Sequence, residues 1–238
     1  MNELKQFRKN ASLKSIGKSS DLILQAILNE LKILDLQNIH SILDIGCGTG
    51  DLLKSLKTIY PYAKLSGVDY TDFSNLGNDG INFYQHDCNQ NFPTSLTNYD
   101  LIISSEVIEH LENGRHFIRE ILKMLNWNGT LILSTPNPES ITSILSYICR
   151  GYHSAFGPND YPAHINSYTL FELSNILMET KKIQNLSHKY IRNGRIPHSK
   201  RLWNDLFPCF NGKRFSDNYI VIAQNFLPIT SSKTHIPR

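Results

Sequence analysis

The sequence has few cysteines, little net charge and no long apolar run, and each shortage argues against a class of protein. Four cysteines stand far apart in 238 residues without a C-x-x-C pair, which favours reduced thiols in a cytoplasmic protein over a disulfide framework or a zinc knuckle. The net charge of +3 is too small to indicate a nucleic-acid partner. No apolar run reaches 18 residues, and residues 1–18 lack the apolar core of a signal peptide, so we expect no membrane span.

The composition is that of a globular protein, with 40% hydrophobic and 19% charged residues. The length suffices to bury a proper core. We expect a single domain over residues 1–238, with an N-terminal arm and helix in residues 1–38. Two proline-, glycine- or charge-rich stretches, 136–166 and 192–216, interrupt the regular pattern, and loops this long in a compact domain are usually functional. We therefore expect both stretches to be inserts on the substrate side.

Strand-like and helix-like segments alternate along most of the chain, which predicts a doubly wound, mostly parallel sheet of the α/β class. The predicted strands are residues 41–45, 64–69, 81–85, 99–104, 130–134, 182–191 and 217–226. Helical spacing of apolar residues predicts helices at 21–36, after Gly50, and at 115–125, 140–149 and 168–179. Trp127-Asn-Gly129 is predicted as the turn into the fifth strand.

The most specific local pattern is a strand followed by a glycine turn and a helix, in Asp44-Ile-Gly-Cys-Gly-Thr-Gly50. Gly46, Gly48 and Gly50 remove the side chains that would keep a ligand from the backbone, and we expect free N–H groups there. A dinucleotide fingerprint, G-x-G-x-x-G, would need glycine where Asp51 stands, and no Gly-Lys-Ser/Thr follows. An aspartate in the first helical turn would also repel a pyrophosphate. The turn therefore predicts a nucleoside ligand without phosphates.

This run resembles motif I of the class I S-adenosylmethionine-dependent methyltransferases, and the family pattern covers roughly residues 40–135. The resemblance implies a Rossmann-like methyltransferase fold and S-adenosyl-L-methionine as the methyl donor. The expected donor-binding residues are Asp44, Gly46, Cys47, Gly48, Gly50, Asp69, Tyr70, Asp87, Cys88 and Ser105.

The donor's parts suggest a role for each of these residues. Asp69 ends the second strand, where a carboxylate can accept from both ribose hydroxyls. Asp87 and the backbone of Cys88 are placed to bind the adenine, with Tyr70 beside it. The methionine end would meet the backbone from Gly46 to Gly48 and Ser105, while Asp44 orients the turn or the donor's amino group.

On the acceptor side, Ser105-Glu-Val-Ile-Glu-His-Leu111 follows the fourth strand. If it opens a helix, Glu106, Glu109 and His110 share one face. That set fits a divalent metal such as Mg²⁺, or His110 as a general base tuned by Glu109, or a network that closes the pocket floor. The pattern resembles ubiquinone-pathway O-methyltransferases, in which the matching residues hold magnesium. It is also similar to small-RNA 3′-terminal 2′-O-methyltransferases, which have a further histidine, here matched by His164.

Later segments (150–156, 163–171, 194–197 and 215–218) resemble bacterial methyltransferases of cell-surface glycan and O-antigen biosynthesis. We therefore predict methylation of a hydroxyl on a small molecule or glycan precursor, with His110, Glu109 and His164 as catalytic residues. The alternatives are a quinone-precursor or secondary-metabolite O-methyltransferase, an RNA 2′-O-methyltransferase, and a non-catalytic donor-binding scaffold. The basic stretch 189–214 is either a solvated loop or a patch for an anionic substrate. The sequence leaves the oligomeric state open.

Overall fold

The computed structural model describes residues 20–197, 199 and 201–225. The arm expected at residues 1–18, Lys200 of the basic stretch and the last residues, 226–238, lie outside the described residues. Within the described ranges, no helix is both long and apolar enough to cross a membrane.

Seven strands form one sheet: β1 Ser41–Ile45, β2 Lys64–Asp69, β3 Asn82–Gln85, β4 Tyr99–Ser105, β5 Leu125–Pro136, β6 Asn185–Tyr190 and β7 Asn218–Gln224. Their order across the sheet is β3-β2-β1-β4-β5-β7-β6. Neighbours from β3 to β5 pair in parallel, whereas β7 runs antiparallel between β5 and β6. The expected mostly parallel seven-stranded sheet is confirmed.

Six α-helices connect or flank the described strands: α1 Asp21–Leu34, α2 Asp51–Ile59, α3 Gly114–Met124, α4 Ile141–Arg150, α5 Leu170–Glu179 and α6 Trp203–Leu206. Side chains that hydrogen-bond free amide groups define several starts. The Ser20 hydroxyl accepts from the amide of Ile23 at the start of α1, and Thr169 and Glu172 form a reciprocal capping box on α5.

Apolar residues on the two faces of the sheet belong to two separate core layers, because successive strand residues point to opposite sides. One layer packs α1 and α2 on the sheet through Ile27, Leu53 and Leu56. The other packs α3 and α5 through Phe117 and Leu177. The structure is therefore a helix–sheet–helix sandwich, as the alternating pattern predicts.

The fifth strand differs from its prediction. β5 begins at Leu125, five residues before the expected start, and the predicted turn at Trp127-Asn-Gly129 lies inside it. The pairing with β4 jumps from Leu125 to Thr130 at this point, and Asn128 has a φ of +65°. The asparagine–glycine signal therefore marks an irregularity within the strand instead of its beginning.

The strand order places the site. From β1 the chain winds outward through β2 to β3, and it then returns to add β4 and β5 on the other side of β1. Neighbouring connections diverge at the carboxyl ends of β1 and β4, which leaves a crevice there. The glycine turn follows β1, and the Glu-x-x-Glu-His segment follows β4, so both motifs lie at this crevice.

The second core layer predicts a large difference between two phenylalanines. Phe117 is fully buried on α3, whereas Phe171 on α5 is 75% exposed. We expect Phe117→Ala to lower the free energy of unfolding by about 3–5 kcal/mol, because it removes buried apolar surface and leaves a cavity. The control Phe171→Ala should change it by less than about 0.5 kcal/mol. Urea unfolding monitored by circular dichroism measures both, and equal effects would contradict the assigned packing.

Candidate active site

The turn after β1 needs its glycines. Gly46, Gly48 and Gly50 have φ values of +77°, +48° and +76°, which side chains disfavour. A Cβ on Gly46 would lie 2.3 Å from Cγ2 of Val107, so the turn touches the segment that follows β4. This close approach brings the two motifs into contact.

The turn's amide groups face the protein. The N–H groups of Gly46 and Cys47 donate to the carbonyl of Val68, and that of Gly50 donates to the carbonyl of Cys47. The N–H of Gly48 donates to Asp69. The expectation that these amides are free for a ligand is therefore wrong, because the end of β2 and the turn itself supply their acceptors.

Asp69 is fixed against this turn. One carboxylate oxygen accepts from the amide of Gly48 at 2.9 Å and the other from the amide of Thr71 at 2.8 Å. Burial raises the pKa of Asp69, and these N–H groups oppose the rise. The carboxylate thus stands at the end of β2 beside the glycine turn, the position expected for ribose recognition.

The predicted adenine residues lie next to Asp69. β3 pairs with β2 so that Gln85 is opposite Asp69, and the amide of His86 donates to the carbonyl of Asp69. Asp87 and buried Cys88 follow at once. Asp87 accepts from the amide and the side chain of Asn89, and Gln85 donates to the carbonyl of Tyr70.

A cleft with about 580 Å3 of empty space, part of it open to solvent, lies between α1 and the glycine turn. Its lining residues are Asp21, Leu24, Ile27, Asp44, Gly46, Cys47, Thr49, Asp51, Leu52 and Ser105. Four predicted donor residues are among them. The other six, Gly48, Gly50, Asp69, Tyr70, Asp87 and Cys88, are not part of this lining. The three residues from α1 were not predicted, although an amphipathic helix just before β1 was the available signal.

The cleft is acidic. Three of its lining residues are aspartates, and none of the ten is a lysine or arginine. Burial, and secondly the charge of Asp69, raises the pKa of Asp44 to about 7. Such a cleft favours a cationic ligand and disfavours a phosphate.

The segment after β4 differs from the prediction. Glu106 has a φ of +56°, so no helix starts there, and one 3-10 turn at Ile108–His110 precedes α3. The expectation that Glu106 shares a helical face with Glu109 and His110 is wrong. Its carboxylate instead accepts from the Ser134 hydroxyl at 3.0 Å and from the Asn218 side-chain amide at 2.7 Å.

Glu109, His110 and His164 come together, with one ligand atom of each within 4.8 Å of the others. Glu109 is fully buried; one oxygen accepts from the Thr135 hydroxyl at 3.1 Å, and the other, Oε1, is buried without a partner among the described residues. Burial raises the pKa of Glu109 to about 8 and lowers that of His110. His164 therefore replaces Glu106 in the expected trio.

Backbone carbonyls set the orientation of both imidazoles. Nδ1 of His110 lies 2.8 Å from the carbonyl of Ala163, and Nδ1 of His164 lies 2.6 Å from that of Ala155. A carbonyl only accepts, so each Nδ1 carries a proton. The lowered pKa of His110 favours its neutral ring, in which the lone pair is on Nε2. Backbone bonds hold the first insert here, since the amides of Ile165 and Asn166 donate to the carbonyl of Glu109 at 2.9 and 3.1 Å.

The profile of the family described as "Methyltransferase domain" matches residues 8–180. The chain belongs to this methyltransferase family. The expected donor, S-adenosyl-L-methionine, is confirmed with the family. The methyltransferase is 30% identical over 173 residues to the ubiquinone biosynthesis O-methyltransferase of Rickettsia conorii, in an alignment covering 64% of this chain and 55% of the relative. The Rickettsia canadensis protein of the same name is 29% identical, in an alignment covering 64% of this chain and 68% of the relative. The alignment thus spans about half of the first relative's length.

Solved structures confirm the fold of this methyltransferase. A SAM-dependent methyltransferase from Archaeoglobus fulgidus superposes with a TM-score of 0.59 at 18% identity, covering 84% of this chain and 94% of the other. The plantazolicin methyltransferase BpumL, in complex with a triazolic desmethylPZN analog and SAH, gives 0.59 at 19% identity and covers 94% and 99%. The methyltransferase domain of bacterial CtHen1 gives 0.54 at 21%, with 84% and 96% covered.

Asp44 predicts a pH dependence of ligand binding. The ammonium group of S-adenosylhomocysteine favours the ionised carboxylate, so below pH 7 binding must first remove a proton. We expect its affinity to fall as the pH drops from 8 to 6, by up to tenfold per unit below 7, since one unit equals 1.36 kcal/mol. Isothermal titration calorimetry measures this dependence.

Two variants separate Asp44 from its neighbours. Asp44→Asn should bind more weakly and show a flat profile between pH 6 and 8. Asp51→Asn, which alters an exposed carboxylate of the same cleft, should keep the wild-type slope. An unchanged slope in Asp44→Asn would assign the titration to another group.

Proposed function

We propose that this methyltransferase methylates a hydroxyl oxygen of a small molecule, with His110 as the base and with Glu109 and His164 completing the catalytic cluster. The observation that carries the proposal is the convergence of these three side chains at the end of β4. The donor cleft reaches the same end of the strand through Ser105. An amine acceptor loses its proton more readily than a hydroxyl, so a dedicated base favours oxygen over nitrogen.

The reaction needs alignment and one proton acceptor. Nε2 of His110 takes the proton of the hydroxyl while the oxygen lone pair attacks the donor's methyl carbon. The carbon–sulfur bond breaks, and its electrons neutralise the sulfonium. The lowered pKa of His110 keeps the imidazole neutral at pH 7. Holding acceptor and donor in line contributes roughly 7–11 kcal/mol in favourable cases.

The same cluster is a donor set for a divalent cation. The buried Oε1 of Glu109, which has no partner among the described residues, and the two nearby imidazoles fit such an ion. Two imidazoles and one carboxylate suit Mn²⁺, Fe²⁺ or Zn²⁺ better than the Mg²⁺ expected from the sequence, since Mg²⁺ prefers oxygen ligands. A bound cation would stabilise the deprotonated hydroxyl.

The relatives' names favour a phenolic quinone precursor among small-molecule acceptors, and a glycan precursor is the second class. A nucleic-acid acceptor is less supported, because acidic neighbours pair with part of the basic stretch. Lys189 pairs with Glu30, Arg195 with Asp217 and Lys213 with Glu139. We also propose a cytoplasmic location, which the free cysteines support, and assign acceptor binding to segments 136–166 and 192–216 of one domain.

Turnover tests the base. With labelled S-adenosylmethionine and 3,4-dihydroxybenzoic acid, we expect methyl transfer, and His110→Ala should lower kcat by about 10²–10⁴-fold with unchanged affinity for S-adenosylhomocysteine. His153→Ala is the matched control, since His153 bonds Ser143 and stacks on Tyr147; it should stay within twofold. Methyl transfer to a glycan hydroxyl, without transfer to 3,4-dihydroxybenzoic acid, would show that the acceptor is a glycan precursor. Donor binding without transfer to either class of hydroxyl would contradict the proposed oxygen acceptor.

Chelation tests the cation. If the cluster holds one, EDTA should reduce turnover at least tenfold, Mn²⁺ should restore it, and His164→Ala should weaken Mn²⁺ binding measured by electron paramagnetic resonance at least tenfold. His153→Ala should leave Mn²⁺ binding unchanged, because His153 is outside the cluster and contacts Ser143 and Tyr147 instead. Turnover that is insensitive to EDTA, in protein without detectable metal, would leave His110 as a metal-free base.

A further inference from the structure

Glu106 occupies the corner between the donor cleft and the acceptor cluster. Ser105 before it lines the cleft, and Val107 after it touches Gly46 of the turn. The left-handed backbone of a glutamate is unfavourable on its own and persists only where the surroundings enforce it. Three contacts do so here: the amide of Glu106 donates to the carbonyl of Ser134 at 3.1 Å, and both carboxylate oxygens accept hydrogen bonds.

Those bonds continue into the second insert. Asn218 at the start of β7 donates its side-chain N–H to Glu106 at 2.7 Å, and its Oδ1 accepts from the side chain of Asn193 at 2.7 Å. Asn193 in turn accepts from the amides of Asp217 and Asn218. Because a backbone N–H only donates, Asn193 accepts through Oδ1 and donates through its side-chain nitrogen to Asn218, whose own side-chain N–H then donates to Glu106.

The two asparagines are buried and stand near the two ends of residues 192–216. Their bonds therefore close the base of this insert and connect it to the corner. The Ser134 hydroxyl extends the chain on the other side, since it lies 3.0 Å from the hydroxyl of Ser105. An uninterrupted path thus runs from the insert through Asn193, Asn218 and Glu106 to the donor cleft.

We propose that Glu106 is a positioning residue of methyl transfer: through Asn218 and Asn193 it fixes the corner of residues 105–107 against the glycine turn and ties it to the second insert. It acts through hydrogen-bond acceptance and needs no negative charge. The inference concerns donor binding, which the family shares, and is independent of the proposed acceptor and base.

The direction of the Asn218–Glu106 bond makes the proposal testable with three variants. Glu106→Gln keeps an acceptor for Asn218 and adds a donor for Ser134, so S-adenosylhomocysteine should bind within threefold of wild type. Asn218→Asp sets a second carboxylate against Glu106 and should weaken binding at least tenfold. In the double variant E106Q/N218D, the amide introduced at position 106 donates to the carboxylate introduced at position 218, and the reversed bond should restore binding to within threefold.

The control variant alters a hydrogen bond between β6 and β7 at the opposite end of β7 from Asn218. Asn185 on β6 donates to the side chain of Gln224 on β7 at 2.8 Å, and Asn185→Asp should lower the melting temperature without changing the affinity for S-adenosylhomocysteine. Calorimetric titration and thermal unfolding of the full chain measure all variants. Wild-type affinity in Asn218→Asp, or no rescue in the double variant, would overturn the proposal. Equal loss in Glu106→Gln and Asn218→Asp would also overturn it, by showing that the negative charge itself is needed.

Discussion

The close contact between Gly46 and Val107 is the constraint on which the site depends. It is possible because β1 and β4 are adjacent parallel strands and because residue 46 has no side chain to fill the space. The contact brings the glycine turn, the predicted donor-binding element, to the segment that carries Glu109 and His110. Methyl transfer requires the donor and the acceptor to be in line. The contact places the glycine turn after β1 directly beside the segment after β4.

Buried carboxyls give the site its electrostatic character. Burial is the main cause of the raised pKa values of Asp44, Asp69, Glu106 and Glu109. Among the ion pairs of the described residues, none joins these four groups to a lysine or arginine. Ionised carboxylates in such surroundings are costly. A donor that carries an ammonium and a sulfonium supplies positive charge that the protein itself does not place there, so the fold retains an electrostatic preference for its ligand.

Sequence patterns predict those structural features that depend on residues close together in the chain. The strand, glycine turn and helix around Gly46–Gly50 depend on residues within one short stretch, and Asp69 follows from the length of one strand–helix–strand unit. Glu106 does not follow from its neighbours, because its conformation depends on Ser134 and Asn218, 28 and 112 residues away. The position of α1 in the cleft likewise depends on residues that are distant in the sequence. Its apolar spacing predicts a helix, but only the packed sheet determines which turn of that helix faces the ligand.

The first insert is coupled to the cluster through the main chain. Both Ile165 and Asn166 donate to the carbonyl of Glu109, and the carbonyl of Ala163 orients His110. The first insert therefore sets the tautomer and the orientation of His110. An insert displaced from the 3-10 turn would lose His164 from the cluster and the hydrogen bond that orients His110 at the same time. With His110 as the proposed base, its orientation and the position of His164 therefore depend on the same contacts of the first insert.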